Sequence, residues 1–190
     1  MELVWWLDTF SRRVVTSRIV IAYWLTLAEP ARKFFQGMIE ELARRHDAPV
    51  FEPHVTVHVG EDQADAAEKA LSRASREYQR INLKPLGTDH SDEFIKTLFV
   101  RFAPDEELQR LNATIRAAAG DPVRYHLNPH LSLLYKNIPA PVRSELQHSI
   151  KLSFSEVTFD GLKAVRCVSP TKSRSDVEAW QVIATRELSR

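Results

Sequence analysis

Glycine is scarce in this 190-residue chain: five residues, spread over positions 37, 60, 87, 120 and 161. No Gly-rich loop can cradle a nucleotide's phosphates through backbone N–H groups, which excludes P-loop and Rossmann-type readings. The single cysteine, Cys167, can neither close an internal disulfide nor supply the thiolate clusters of structural zinc and iron–sulfur sites. A reducing compartment, the cytoplasm, is the expected location. An excess of either charge is missing too, because 26 Lys plus Arg against 25 Asp plus Glu leave +1. Extended nucleic acid and membrane surfaces are therefore not expected as partners, and any phosphate recognition must be local. No apolar run approaches the ~20 residues that cross a bilayer. The opening Leu3-Val4-Trp5-Trp6-Leu7 is short and has no small-residue cleavage site after it, so it does not read as a secretory signal.

What is present, 44% hydrophobic and 27% charged residues, suits one compact monomeric domain over residues 18–190. Residues 1–17 read as an extension. Leu3, Trp6, Leu7, Phe10 and Val14 recur at helical spacing there, as in a short amphipathic helix that docks on the body or is dispensable. The body alternates its patterns. Strands are predicted over 18–27, 51–59 and 81–86, with helices over 30–45 and 62–79 between them. After a polar loop at 87–92 the series resumes with strands over 94–102, 127–135, 156–167 and 177–188. Helices are predicted over 105–119 and 142–148, and a charged loop over 170–176. This is the pattern of a diverged duplication: an α+β, bilobal, pseudo-two-fold fold with mainly antiparallel sheets facing a central cleft and helices on the outer faces.

One local similarity joins the halves. Phe51-Glu52-Pro53-His54-Val55-Thr56-Val57 and, 76 positions on, Leu127-Asn128-Pro129-His130-Leu131-Ser132-Leu133 share the pattern apolar-x-Pro-His-apolar-hydroxyl-apolar. Side chains alternate across a strand, so His54 shares one face with Thr56, and His130 shares one with Ser132. The apolar residues between them belong to the covered face. Two opposed imidazoles suit phosphodiester hydrolysis, one deprotonating the attacking water and the other protonating the departing alkoxide. The hydroxyls of Thr56 and Ser132 can hydrogen-bond the phosphate oxygens. This chemistry needs neither metal nor cofactor, and the near-symmetry hides its direction; His130 as base and His54 as acid is the expected order.

These residues resemble the 2H phosphoesterases, which are marked by two H-x-[ST]-x motifs. His54-Val55-Thr56-Val57 and His130-Leu131-Ser132-Leu133 fit both. The segments FEPHVTVHVG and NPHLSLLYKNI, with the Trp-bearing EAWQVIATREL, are most similar to the plant-type cyclic phosphodiesterases, and the likeness spans residues 18–188. The resemblance implies two motifs meeting in a cleft and metal-independent opening of small cyclic phosphates. The substrates it implies are nucleoside 2',3'-cyclic phosphates, giving 2'-phosphates, or ADP-ribose 1'',2''-cyclic phosphate, giving the 1''-phosphate. It also implies that Tyr135 lines the substrate pocket, although packing of an aromatic at a strand end accounts for that residue equally well. The segment around Phe94 and Lys96 resembles, loosely, another pocket-lining strand of the family, where Lys96 could attract phosphate; a surface position is the expectation for Lys96.

Other readings stay open. His58, predicted on the face of His54 and Thr56, and His126 ahead of the second motif could belong to a histidine-rich metal site, although no H-E-x-x-H or matched carboxylate accompanies them. A rim position for His58 is the expectation. A non-catalytic nucleotide-binding module, or a 2H enzyme joining or trimming RNA ends, would use the same cleft.

Overall fold

The computed structural model describes residues 16–122 and 125–189. The amphipathic helix expected ahead of residue 18 falls largely outside them. The chain runs β1 (Arg18–Leu27), α1 (Ala31–His46), β2 (His54–Glu61), α2 (Ala64–Glu77), β3 (Ile81–Leu83) and β4 (Pro85–His90). A 3-10 turn (Phe94–Lys96) then leads into β5 (Leu98–Phe102), α3 (Glu106–Ala119), β6 (His130–Leu134) and α4 (Ala140–Ser149). The last elements are β7 (Val157–Ser169), α5 (Arg174–Glu178) and β8 (Gln181–Glu187).

Local chemistry sets the ends of these elements. The Asp105 carboxylate accepts the Leu108 N–H at the start of α3, and Gly120 closes the same helix at φ 66°, a conformation that costs a side chain but not glycine. The buried face of α2 is Ala67, Ala70, Leu71 and Ala74. Its small residues let the helix lie close to α3 and the sheet.

The strands form one antiparallel sheet in the order β3-β7-β1-β2-β6-β5-β4, with β8 added to β7. The α+β class holds, with two halves meeting where β2 and β6 pair through Val55 and Leu131. Strand membership differs from the sequence reading, which assigned residues 156–188 to the second half. β7 instead lies between β3 and β1, pairing with β1 from Arg18↔Ser169 to Leu27↔Phe159. Long-range pairing decides this, and a local pattern carries no record of it. Likewise the polar segment read as a loop over 87–92 is mostly strand β4, held against β5 from Pro85↔Phe102 to His90↔Leu98.

One face of the sheet carries the core. Ile21, Tyr23 and Leu25 of β1, Val55 and Val57 of β2 and Leu131 and Leu133 of β6 pack beneath the helices. The opposite face is concave, and Ala22, Trp24 and Val165 form a smaller apolar floor there.

Candidate functional site

The pleat explains why the two motifs converge. Val55 and Leu131 are direct antiparallel partners, so the register carries His54 opposite Ser132 and Thr56 opposite His130. Directly opposed Cβ atoms lie roughly 4.5–5.5 Å apart. Both pairs project to the face opposite the buried Val55 and Leu131. There they line a single cavity of about 310 Å³ together with Tyr135, Trp24, Trp180 and the 3-10 turn. The residues expected from sequence to act on substrate, His54, Thr56, His130, Ser132 and Tyr135, all reach this cleft.

The two imidazoles are held identically. His54 Nδ1 lies 2.7 Å from the carbonyl oxygen of Glu52, and His130 Nδ1 lies 2.7 Å from that of Asn128. A carbonyl only accepts, so Nδ1 donates in both and Nε2 is left as a lone-pair nitrogen. The prolines between carbonyl and ring, Pro53 and Pro129, keep the preceding residue extended and so aim its carbonyl back at the imidazole. The repeated Pro-His is thus a device for fixing a tautomer.

The surroundings of the rings differ. His54 is 7% exposed and stacks on Trp24, with ring centroids 3.7 Å apart and an 11° interplanar angle, while Trp180 packs its edge against both. Burial pushes its pKa down to about 4, and the charges of His130 and Lys163 add to that effect, opposed by the Glu52 hydrogen bond. His130 is half-buried, edge-on to Phe99 at 5.6 Å. Burial lowers its pKa as well, and Lys96 lowers it further, whereas the Asn128 bond and Glu93 favour its cation.

The hydroxyls differ too. Thr56 has no side-chain hydrogen bond among the described residues, whereas Ser132 Oγ donates to the Ile95 carbonyl at 2.7 Å. Tyr135 resolves both of its sequence readings at once. Its ring stacks on Phe51 at 3.8 Å and is 4% exposed, while it lines the cleft beside Ser132. Burial pushes its phenol pKa well up, so the hydroxyl keeps its proton.

His58 departs from expectation. Tyr23 pairs with His58 and the next residue, Trp24, with Thr56, so Val57 is the extra residue of a β-bulge. The bulge reverses the alternation beyond it: Val59 lines the cleft, and His58 turns into the protein, fully buried, with Nε2 3.0 Å from the Asp121 carboxylate. It is neither at the cleft rim nor beside His54. His126 is exposed, and among the described residues no group of three or more His, Cys, Asp or Glu could hold a metal ion. Sequence reasoning missed Trp24 and Glu93 as cleft residues and expected Lys96 at the surface; all three reach the cleft through strand pairing or a turn that no short motif marks.

Burial of these imidazoles has a consequence for stability. The unfolded chain takes up protons near pH 6.5, but folded His54 does so only near pH 4, so the unfolded state binds more protons in that window and stability falls as pH falls through it. His46, His58 and His130 are shifted in the same direction by the same cause. We expect His54 alone to contribute on the order of 3 kcal/mol of this loss. Urea unfolding between pH 7 and pH 4.5 measures it, and the slope should lessen in His54→Phe. A wild-type protein equally stable at both pH values would contradict it.

Comparison with known proteins agrees with this geometry. The model of the family described as cyclic phosphodiesterase-like protein matches residues 19–188. The cyclic phosphodiesterase of Arabidopsis thaliana is 23% identical over 182 residues, covering 90% of this chain and 96% of that protein. The apo form of Escherichia coli LigT superposes with a TM-score of 0.60 at 15% identity, covering 92% of this chain and all of that one. LigT complexed with 3'-AMP gives 0.57 at 16% identity, covering 90% and 98%. These two structures show a shared fold. Two H-x-[ST]-x strands opening on one cleft, within a family match over nearly the whole chain, make this protein a 2H phosphodiesterase of the cyclic phosphodiesterase-like family. Among the described residues no helix is long and apolar enough to cross a membrane.

Proposed function

We propose that the protein hydrolyses small cyclic phosphodiesters without a metal, opening a nucleoside 2',3'-cyclic phosphate to the 2'-phosphate or ADP-ribose 1'',2''-cyclic phosphate to the 1''-phosphate. The observation that carries this is the pair of imidazoles, each fixed through Nδ1 and each lining one cavity together with the hydroxyls of Thr56 and Ser132. The cavity, at about 310 Å³, is at the small end of ligand sites and favours a mononucleotide-sized substrate. Both motifs in one small cleft, near-zero net charge and a lone thiol fit a monomer working on small molecules in the cytoplasm.

In this reading a water oxygen attacks phosphorus and passes its proton to one imidazole. The ring P–O bond breaks, and the other imidazole gives its proton to the departing ribose oxygen. Thr56 donates to a non-bridging oxygen from the outset, and Ser132 exchanges its bond to Ile95 for one to the phosphate as charge develops. The environments favour the reverse of the order expected from sequence. His54, the harder to protonate, is the base, and His130, with Glu93 nearby, is the acid.

The test is turnover of 2',3'-cyclic AMP with product regiochemistry resolved, before and after exhaustive EDTA. Activity should survive chelation, and loss restored by a divalent ion would refute the scheme. The base must be neutral, hence pH above about 4, and the acid must be protonated, hence pH below a value itself under 6.5. The maximum of kcat/KM should therefore fall between these limits, on the acid side of neutrality. An alkaline optimum would remove the two-histidine assignment.

A further inference from the structure

A cleft built for an anion needs compensating charge, and neither histidine supplies it readily, because burial holds both imidazoles toward neutrality. Of the described residues lining the cavity, Glu93 and Lys96 are the two acidic or basic side chains besides the histidines. Both come from the turn ahead of β5. That turn is bound to the strand carrying His130 on either side of Lys96. Ser132 Oγ donates to the Ile95 carbonyl at 2.7 Å, and Thr97 Oγ1 donates to the Lys136 carbonyl at 2.6 Å. Lys96 is itself fixed at both ends: its N–H donates to the Glu93 carbonyl at 2.9 Å, and its carbonyl accepts from Ser91 N–H at 3.1 Å and Ser91 Oγ at 2.9 Å. A surface lysine needs no such scaffold. Its side chain is half-buried, makes no ion pair among the described residues, and places its ammonium 5.8 Å from the centroid of Phe99, the ring against which His130 packs.

We propose that Lys96 is the phosphate-binding cation of this cleft, meeting the anionic oxygens of the cyclic phosphodiester beside His130, with Glu93 opposing it and so limiting affinity for the more highly charged monoester product. The inference deepens the phosphodiesterase reading and rests on it for the identity of the anion. It also carries a second signature. The charged and titratable groups around His130 are Lys96 and Glu93 from the turn, His54 from the facing strand, and Arg101 across the ladder, which is turned toward Asp89 at 3.4 Å. Lys96 disfavours the His130 cation and Glu93 favours it, so neutralising each should move the alkaline limb of the rate profile in opposite directions.

The experiment titrates the full chain and its Lys96→Gln, Lys96→Arg and Glu93→Gln variants with inorganic phosphate by calorimetry at two ionic strengths, and measures kcat/KM for 2',3'-cyclic AMP against pH. Lys96→Gln should bind phosphate about tenfold more weakly and lose most of the salt dependence, and Lys96→Arg should restore most of the affinity. Glu93→Gln should bind more tightly. The alkaline limb should rise in pH in Lys96→Gln and fall in Glu93→Gln. Wild-type phosphate affinity in a folded Lys96→Gln variant overturns the proposal, as does a wild-type protein that binds no phosphate. Lys96-dependent phosphate binding without turnover of the cyclic nucleotide keeps the anion site and refutes the phosphodiesterase reading instead.

Discussion

Alanine at either His54 or His130 should lower kcat for a cyclic phosphodiester about 10²- to 10⁴-fold, the scale on which a positioned acid or base contributes. Alanine at both should cost little more than alanine at one, because attack and departure fail together once either proton has nowhere to go. The limbs of the pH profile separate the two roles. His54→Ala should abolish the acid limb and His130→Ala the alkaline limb, since His54 must be neutral and His130 protonated. Loss of the His54 ring also uncovers the Trp24 indole stacked on it, so circular dichroism must show the variant folded, and His54→Asn serves as a second substitution of similar size. A folded variant turning over at the wild-type rate would remove that histidine from the mechanism.

How much of this was legible beforehand depends on which distances a sequence can encode. The pairing of His54 with Thr56 and of His130 with Ser132 is a two-residue relation fixed by strand pleat, and Pro53 and Pro129 mark each imidazole's carbonyl partner within two positions. That part of the site was readable. The meeting of the two motifs followed from the duplication, but the register that makes it close, Val55 against Leu131, did not. His58 was misplaced because alternation was extended through a bulge that only the Tyr23 and Trp24 pairings reveal. β7 was assigned to the wrong half because its apolar run fits any central strand, and its partner β1 is more than a hundred residues away. Lys96 reads as a surface residue for a similar reason: a lysine beside two aromatics looks like solvent-facing chain until Ser132 and Lys136 are seen to tie the turn down.

The same bulge sets up the largest expected effect on stability. His58→Leu should destabilise the protein by roughly 3–5 kcal/mol, the scale on which a buried charge that loses its partner costs stability, here the Asp121 carboxylate. His58 is fully buried and the Asp121 carboxylate is 2% exposed, so the carboxylate would lose the Nε2 donor with little water to replace it. His58 Nδ1 has no partner among the described residues, and burial lowers its pKa, so the pair is held as a neutral imidazole donating to a carboxylate. Gly60 is part of the same arrangement, because a Cβ at that position would overlap the Asp121 carboxylate and crowd His58 Nε2; Gly60→Ala should weaken the contact without touching either partner. Replacing both partners with leucine should recover part of the loss, since the buried carboxylate is then no longer left without its His58 donor. Urea unfolding of His58→Leu, Asp121→Leu, Gly60→Ala and the double leucine variant measures the coupling, and a His58→Leu change within about 1 kcal/mol of wild type would show the pair to be dispensable. Asp121 begins the segment between α3 and β6, and Tyr125 in that segment both faces the His58 ring edge-on at 6.1 Å and lines the cleft. The pair turned away from the cavity thus fixes one of its walls, and variants that remain folded should show their defect in KM before kcat.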